Sequence, residues 1–153
     1  MHDINKITGE IVDAAYHIHD QLGPGLLESV YQMVLAHDAE KRGLTVEREK
    51  EFGFVYEGIT IESGFKVDLL VNSLVVVELK SVEKLAPVHS KQLLTYLRLL
   101  ELPVGLLINF GAPTLKEGIR RIANPRAPAA RSILGAPSAI GLSPKHPSGL
   151  STP

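Results

Sequence analysis

The chain has 153 residues, enough for one domain with a real core, and its 44% hydrophobic and 22% charged content is that of an ordinary globular protein. A formal net charge of -1 excludes a globally basic nucleic-acid binder, so any such surface has to be local. The absence of cysteine excludes disulfides, thiolate zinc sites and cysteine nucleophiles. Because no run approaches the ~20 apolar residues of a membrane span, and the N-terminus lacks the apolar core of a signal peptide, we expect a cytoplasmic protein without a membrane partner.

Two helices are predicted in the first third of the chain. Apolar residues recur at helical spacing over residues 4–22, and Gly23-Pro24-Gly25 ends this helix because glycine and proline break helices. A second helix is predicted from about residue 26 to residue 42. Its first turn contains Glu28, for which two interpretations stay open: a carboxylate that complements the helix dipole, or an acid that reaches a functional site.

Strands are predicted for the middle of the chain. Residues 44–56 alternate imperfectly and are rich in Glu and Lys, which predicts a pair of partly exposed strands. Glu57-Gly58 is a turn candidate that leads into residues 59–62. The next apolar, β-branched runs, 65–71 and 75–80, flank a turn signal and predict an antiparallel hairpin.

Charged residues in this hairpin need an explanation. Side chains alternate between faces along a strand. In the first strand we expect one face to hold Phe65, Val67, Leu69 and Val71 and the other to hold Lys66, Asp68 and Leu70. In the second strand we expect one face to hold Val75, Val77 and Leu79 and the other to hold Leu74, Val76, Glu78 and Lys80. A charge on such an apolar strand is costly unless it is paired or binds a metal.

The length of the turn decides whether these charges meet. Residues directly opposite each other in an antiparallel pair share a face. A two-residue loop at Asn72-Ser73 would put Asp68 and Glu78 on opposite faces. A three-residue loop, 72–74, pairs Asp68 with Glu78 and gathers both with Lys80. We therefore predict a three-residue or bulged turn.

The remaining elements follow after a short connection. A helix is predicted over residues 87–101, a buried strand over 104–110, and a small element of undetermined type over 114–124. Residues 125–153 hold six of the ten prolines and no Asp or Glu. We therefore predict one domain, residues 1–124, followed by a flexible Pro/Ser/Gly-rich tail, which is either a nucleic-acid-seeking arm or a plain solvated segment.

The hairpin charges are the residue types of a metal-dependent phosphodiesterase. Asp68 and Glu78 offer hard oxygen ligands to Mg²⁺ or Mn²⁺, and the carbonyl group of Leu79 could add another. Lys80, facing the same way, could position the attacking water or stabilise the transition state. The alternative is a buried Glu–Lys–Asp ion network that only fixes the hairpin. These residues alone leave both interpretations open.

The predicted helix over residues 87–101 adds a second group of candidates. Gln92 and Tyr96 lie one turn apart on one helical face, with His89 one step earlier on the same stripe. One interpretation is a polar helix edge. The other has these side chains contacting the substrate phosphate or the catalytic water.

A wider pattern connects these residues. It consists of Gly25-x2-Glu28-x2-Tyr31, then Asp68, then Glu78-x-Lys80, then Gln92-x3-Tyr96. This pattern resembles the GxxExxY family, which is similar to the PD-(D/E)xK nuclease superfamily, and the resemblance covers residues 4–124. It implies an α/β (α+β) fold with a restriction-endonuclease-like core: a mixed sheet flanked by helices, in the order helix, three antiparallel strands, helix, strand.

The resemblance also implies roles for residues. Glu28 would be the helical acid, Asp68 and Glu78 the metal ligands, and Lys80 the catalytic lysine. Gln92 and Tyr96 match a motif of the branch that resembles RecB-type exonucleases. Val67 stands where the superfamily's name has proline, a loosely kept position.

The leading hypothesis is an enzyme, a Mg²⁺- or Mn²⁺-dependent nuclease acting on DNA or RNA. One local basic cluster, opposed only by Glu117, comprises Lys116, Arg120, Arg121, Arg126 and Arg131. Because we expect no attached recognition domain, sequence specificity would have to come from a homo-oligomer or a partner protein. The runner-up is a non-catalytic binding or assembly module that retains the nuclease fold. A third hypothesis is metal-assisted hydrolysis of a small phosphorylated ligand.

Overall fold

The computed structural model describes residues 3–127 and the backbone of residues 143–144. Its helices are α1 (Ile4–Leu22), α2 (Glu28–Lys41), α3 (Pro87–Leu100) and α4 (Leu115–Gly118). Its strands are β1 (Val46–Tyr56), β2 (Ile59–Val71), β3 (Val75–Lys80), β4 (Val104–Asn109), β5 (Ile119–Ala123) and β6 (Ser143–Pro144). The strands form one mixed sheet in the order β5-β4-β3-β2-β1-β6. The pair β3–β4 is parallel and the other neighbouring pairs are antiparallel, which confirms the predicted mixed α/β architecture.

The helices cover both faces of the sheet. On one face, α1 and α2 pack against β3 and β4 through a core that includes Ile7, Ile11, Leu35, Leu69, Val75, Val77, Leu106 and Ile108. On the other face, α3 contributes Leu93, Leu97 and Leu100, which cluster with Leu70, Val76 and Leu107. Strands buried on both faces are apolar at nearly every position, and this explains the continuous hydrophobic run of β4.

The predicted pair of strands over residues 44–56 is wrong, because β1 is one continuous strand. At a register shift, β1 has one residue between Phe52 and Phe54, whereas β2 has three, 62–64, between Ile61 and Phe65. Gly53 lies at this shift, where a Cβ atom would overlap the carbonyl oxygens of Ile61 and Glu62. The two extra residues lie in β2, and the bulge that they form ends neither strand. The residues around Glu57-Gly58 form the predicted turn, and β2 then runs without interruption to Val71.

The turn between β2 and β3 has the predicted three residues. Leu69 pairs with Val77 and Val71 with Val75, which leaves residues 72–74 as the loop. Asn72 adopts a left-handed backbone with φ of 52°, and its side-chain oxygen accepts a hydrogen bond from the Thr45 N–H at 2.8 Å. Asparagine tolerates this conformation better than most residues do. Asp68 and Glu78 are the next residues beyond this ladder, and a hydrogen bond from the Asp68 N–H to the Glu78 side chain joins them.

The expected faces of β2 are partly wrong. Leu69 packs in the core beneath α1 and α2, but Phe65 and Val67 pack with Leu70 on the α3 side. The regular alternation therefore breaks between residues 67 and 69. At the corresponding position of β1, between the residues paired with Leu69 and Val67, Glu49 has a left-handed backbone with φ of 50°.

The predicted tail over residues 125–153 lies mostly outside the described residues. Within them, Ser143 and Pro144 pair antiparallel with Gly53 and Phe52 of β1. In the part of the chain that the structure describes, no helix combines the length and the apolar character that crossing a membrane requires.

Candidate functional site

The candidate site lies where β2 and β3 separate. The two strands pair from Val71 back to Leu69, and beyond that point β2 continues beside β1 alone. At the fork, the Asp68 N–H donates to Glu78 Oε2 at 2.9 Å, and the Leu79 N–H donates to Asp68 Oδ2 at 2.8 Å. Asp68 Oδ2 thus takes the place of the main-chain acceptor that a continued ladder would have supplied to the Leu79 N–H. These two hydrogen bonds hold the two carboxylates side by side.

Burial makes the negative charge of this pair unfavourable. Glu78 is 6% exposed. Its pKa is raised from 4.5 to about 8, first by burial and then by the charge of Asp68. Burial also raises the pKa of Asp68, while the hydrogen bond from the Leu79 N–H lowers it. A buried and a half-buried carboxylate, both with raised pKa values, favour the binding of a positive species, either a proton or a metal cation.

Lys80 is half-buried beside the pair but is not tied to it. Its positive charge lowers the pKa of both Asp68 and Glu78. None of the ion pairs found among residues 3–127 includes Lys80. The buried Glu–Lys–Asp ion network that the sequence left open is therefore not formed. Main-chain N–H groups hold the carboxylates instead, and the ammonium group of Lys80 remains available.

Leu79 presents its main chain to the same place. The N–H and C=O groups of one strand residue point towards the same neighbouring strand. Because the Leu79 N–H donates to Asp68, its carbonyl group lies along the same edge of β3. Lys80 points its carbonyl the other way, accepting from the Phe110 N–H at 2.9 Å.

Glu28 reaches the end of β3 from the first turn of α2. Its Oε2 accepts a hydrogen bond from the Ser81 N–H at 3.2 Å, directly after Lys80. Its charge contributes to the raised pKa values of Asp68 and Glu78. The predicted helical acid therefore lies within electrostatic range of the carboxylate pair.

Tyr31 fixes the loop that starts α2. Its ring is fully buried and stacks on Phe110, with ring centroids 4.4 Å apart. Its hydroxyl group donates to the Gly23 carbonyl oxygen and accepts from the Leu26 N–H. The Leu26 carbonyl in turn accepts from the Ser81 hydroxyl at 2.7 Å. The tyrosine and the glutamate of the first motif thus act together, since Tyr31 holds the loop, residues 23–27, that leads into Glu28.

Helix α3 brings Tyr96 to the carboxylates. The Tyr96 ring stacks on Phe65 of β2, with centroids 4.7 Å apart. Burial raises its pKa first, and the charges of Glu78 and Asp68 raise it further. Gln92 lies one turn earlier on the same face of α3 and is exposed.

His89 has a local role in the structure. Its Nδ1 accepts a hydrogen bond from the Ala86 N–H at 3.1 Å, which satisfies one of the free donors at the start of α3. Its predicted contact with substrate stays a prediction.

Sequence reasoning missed Glu49 and Gln32. The charge of Glu49 also raises the pKa of Asp68, and its Oε2 accepts from the buried Gln32 Nε2 at 3.3 Å. In the sequence, Glu49 is one of three glutamates that alternate with Arg and Lys in residues 47–51. Nothing in that pattern distinguishes it from its neighbours. A backbone angle is what sets it apart.

The oxygen donors of the site fit a hard divalent cation whose remaining coordination positions are filled by water and substrate. Among the described residues, no three His, Cys, Asp or Glu side chains group closely enough to hold a metal ion by themselves. Mg²⁺ nevertheless binds commonly through one or two carboxylates, several waters and substrate phosphates. Asp68 and Glu78, with the carbonyl group of Leu79, supply oxygen donors of this kind.

The predicted basic cluster is not one surface. Arg121 of β5 donates to the side-chain oxygen of Asn5 on α1 at 2.9 Å. Its neighbour Arg120 instead donates to the carbonyl oxygens of Glu117 and Ile119. Adjacent strand residues point to opposite faces, which separates the two guanidinium groups. Arg131 lies outside the described residues.

Comparison with known proteins gives one match. The family model of the PD-(D/E)XK nuclease superfamily matches residues 5–122, a range that contains each site residue described above. No similar curated protein and no similar solved structure was found. The superfamily match suggests nuclease activity in general.

Proposed function

Since this chain belongs to the PD-(D/E)XK nuclease superfamily, we propose that it hydrolyses phosphodiester bonds of nucleic acids with Mg²⁺ or Mn²⁺ as cofactor. One observation carries the proposal. Asp68 and Glu78 lie together at the fork between β2 and β3, with the unpaired ammonium group of Lys80 beside them. Two acids and an unpaired lysine held together in this way are typical of a catalytic site, where they stabilise charge on the substrate, and they contribute little to the stability of the fold.

Each residue has a proposed task. Asp68, Glu78 and the Leu79 carbonyl hold the cation, and Glu28 adds negative charge from α2. The bound cation supplies Lewis-acid chemistry, lowering the pKa of a water and neutralising charge on the phosphate. Lys80 donates to the attacking water or to the oxygens on which charge develops. Gln92, Tyr96 and His89 contact the substrate phosphate or that water.

The raised pKa values support cation binding at this pair. Below about pH 8 Glu78 retains a proton in the metal-free protein. Ligating carboxylates must be deprotonated, so cation binding releases this proton. Affinity for Mg²⁺ or Mn²⁺ therefore rises with pH through the pKa of Glu78.

A cleavage assay tests the proposal. Single-stranded DNA, double-stranded DNA and RNA are incubated with Mg²⁺ or Mn²⁺ and the wild type, Lys80→Ala, Asp68→Asn or the control Lys84→Ala, which removes an exposed lysine of the connection after β3. Metal-dependent cleavage that both site variants lose and the control keeps is the expected result. A wild type that neither cleaves any substrate nor binds Mn²⁺ would overturn the proposal.

A non-catalytic module is the second candidate. It is favoured by the lack of a three-residue metal group among the described residues. It predicts that the wild type binds nucleic acid equally with and without Mn²⁺ and that Lys80→Ala leaves the affinity within about threefold, a difference of about 0.7 kcal/mol. Dissociation constants measured in both conditions separate the two candidates.

A further inference from the structure

We propose that Glu49 is a positioning residue of the carboxylate pair: its left-handed backbone bends the β1–β2 ribbon and so directs the Asp68 carboxylate to the Leu79 N–H. The role of this bend in metal binding rests on the proposed function. Its effect on the position of Asp68 in the metal-free protein is independent of that function.

The bend lies opposite Asp68. β1 and β2 keep one register on both sides of it, with Arg48 facing Leu69 and Lys50 facing Val67. Between these two pairs lie Asp68 on β2 and, on β1, Glu49, which has φ of 50°. Left-handed backbone is unfavourable for residues other than glycine, so it persists only where the surroundings impose it.

Contacts from α2 and β2 hold Glu49 in this conformation. Gln32 of α2, 5% exposed, donates from Nε2 to Glu49 Oε2 at 3.3 Å. Gln32 Oε1 accepts from Arg48 Nε at 3.2 Å, so one buried amide contacts two successive residues of β1. On the other side, Lys66 Nζ pairs with Glu49 Oε1 at 3.6 Å.

A straight ribbon would remove the site. If β2 continued beside β3 in the register of Leu69 and Val77, Val67 would face Leu79. The Leu79 N–H would then have a main-chain acceptor on β2 instead of Asp68 Oδ2. The bend takes β2 away from β3 at this point. The carboxylates fill the gap.

Substitutions at Glu49 separate the backbone from the carboxylate. Glu49→Gly removes the side chain but favours left-handed backbone, whereas Glu49→Val disfavours it because valine is β-branched. Glu47→Val is the matched control, since Glu47 lies two residues earlier on β1 without a left-handed backbone.

Two measurements are made on each variant. Nuclear Overhauser contacts between the Leu79 amide proton and the Asp68 β-protons report the position of Asp68 without metal, and calorimetry reports Mn²⁺ affinity. We expect Glu49→Val to lose the contact and at least tenfold in affinity, while Glu49→Gly and Glu47→Val keep the contact and stay within threefold of the wild type. The proposal is overturned if Glu49→Val keeps the contact, or if Glu49→Gly loses it. If the wild type shows the contact but binds no Mn²⁺, the proposed function fails while the contact data still decide the role of Glu49.

Discussion

The strongest prediction concerns the effect of pH on the stability of the metal-free protein. The pKa of Glu78 is about 8 in the folded chain and 4.5 without the fold. Between these values the folded state retains a proton that the unfolded state has released. The stabilisation that this proton provides is therefore complete below pH 4.5 and is lost as pH rises through 8. At about 1.36 kcal/mol per pH unit, the full difference amounts to roughly 5 kcal/mol, a large part of the stability of a small domain.

Urea unfolding of metal-free protein from pH 5 to pH 9 tests this. We expect the wild type to lose about 1.4 kcal/mol of unfolding free energy per pH unit near pH 6–7 relative to Glu78→Gln, which has no proton to lose at this position. Glu47→Gln, at an exposed position of β1, should keep the wild-type slope. Parallel curves for the wild type and Glu78→Gln would refute the reasoning, because the buried carboxyl would then not be the group that titrates.

Three further predictions follow from single contacts. Tyr31→Phe removes the hydroxyl group that holds the loop before α2 and should lower the unfolding free energy by roughly 1–3 kcal/mol, whereas Tyr56→Phe at the exposed end of β1 should leave it unchanged. Gly111→Ala places a Cβ atom against a carbonyl oxygen of the segment after β3 and should lower the melting temperature, while Gly9→Ala enters open space in α1 and should raise it. Under the proposed function, Tyr96→Phe keeps the ring and should lower kcat at unchanged melting temperature; an unchanged kcat would remove the hydroxyl group from the chemistry.

The turn and the carboxylate pair could be predicted because two constraints met. Asp68 and Glu78 lie in apolar strands, and only a three-residue loop puts both on one face. Helix α1 could likewise be bounded, since its apolar period and the following glycine and proline agree. These features depend on residues close together in the sequence.

The bend and the bulge could not be predicted. Both disturb the regular pattern on which strand prediction relies, at Glu49 by a backbone angle and opposite Gly53 by two extra residues of β2. Glu49 is contacted from a distant part of the chain, by Gln32 of α2. The split of Arg120 from Arg121 was missed for a similar reason, because the sequence did not show that residues 119–123 form a strand.

The site is assembled across very different lengths of chain. Asp68 meets Glu78 across ten residues, whereas Glu28 meets Ser81 across 53. The entropy lost on closing a loop grows with the logarithm of its length. Closing the hairpin that carries both carboxylates therefore costs less entropy than bringing Glu28 of α2 to Ser81. We expect the carboxylate pair to form first during folding and the helical acid to join later. A cation that binds the pair would then speed refolding, and refolding rates measured with and without Mn²⁺ would reveal whether the cofactor also acts as a folding nucleus.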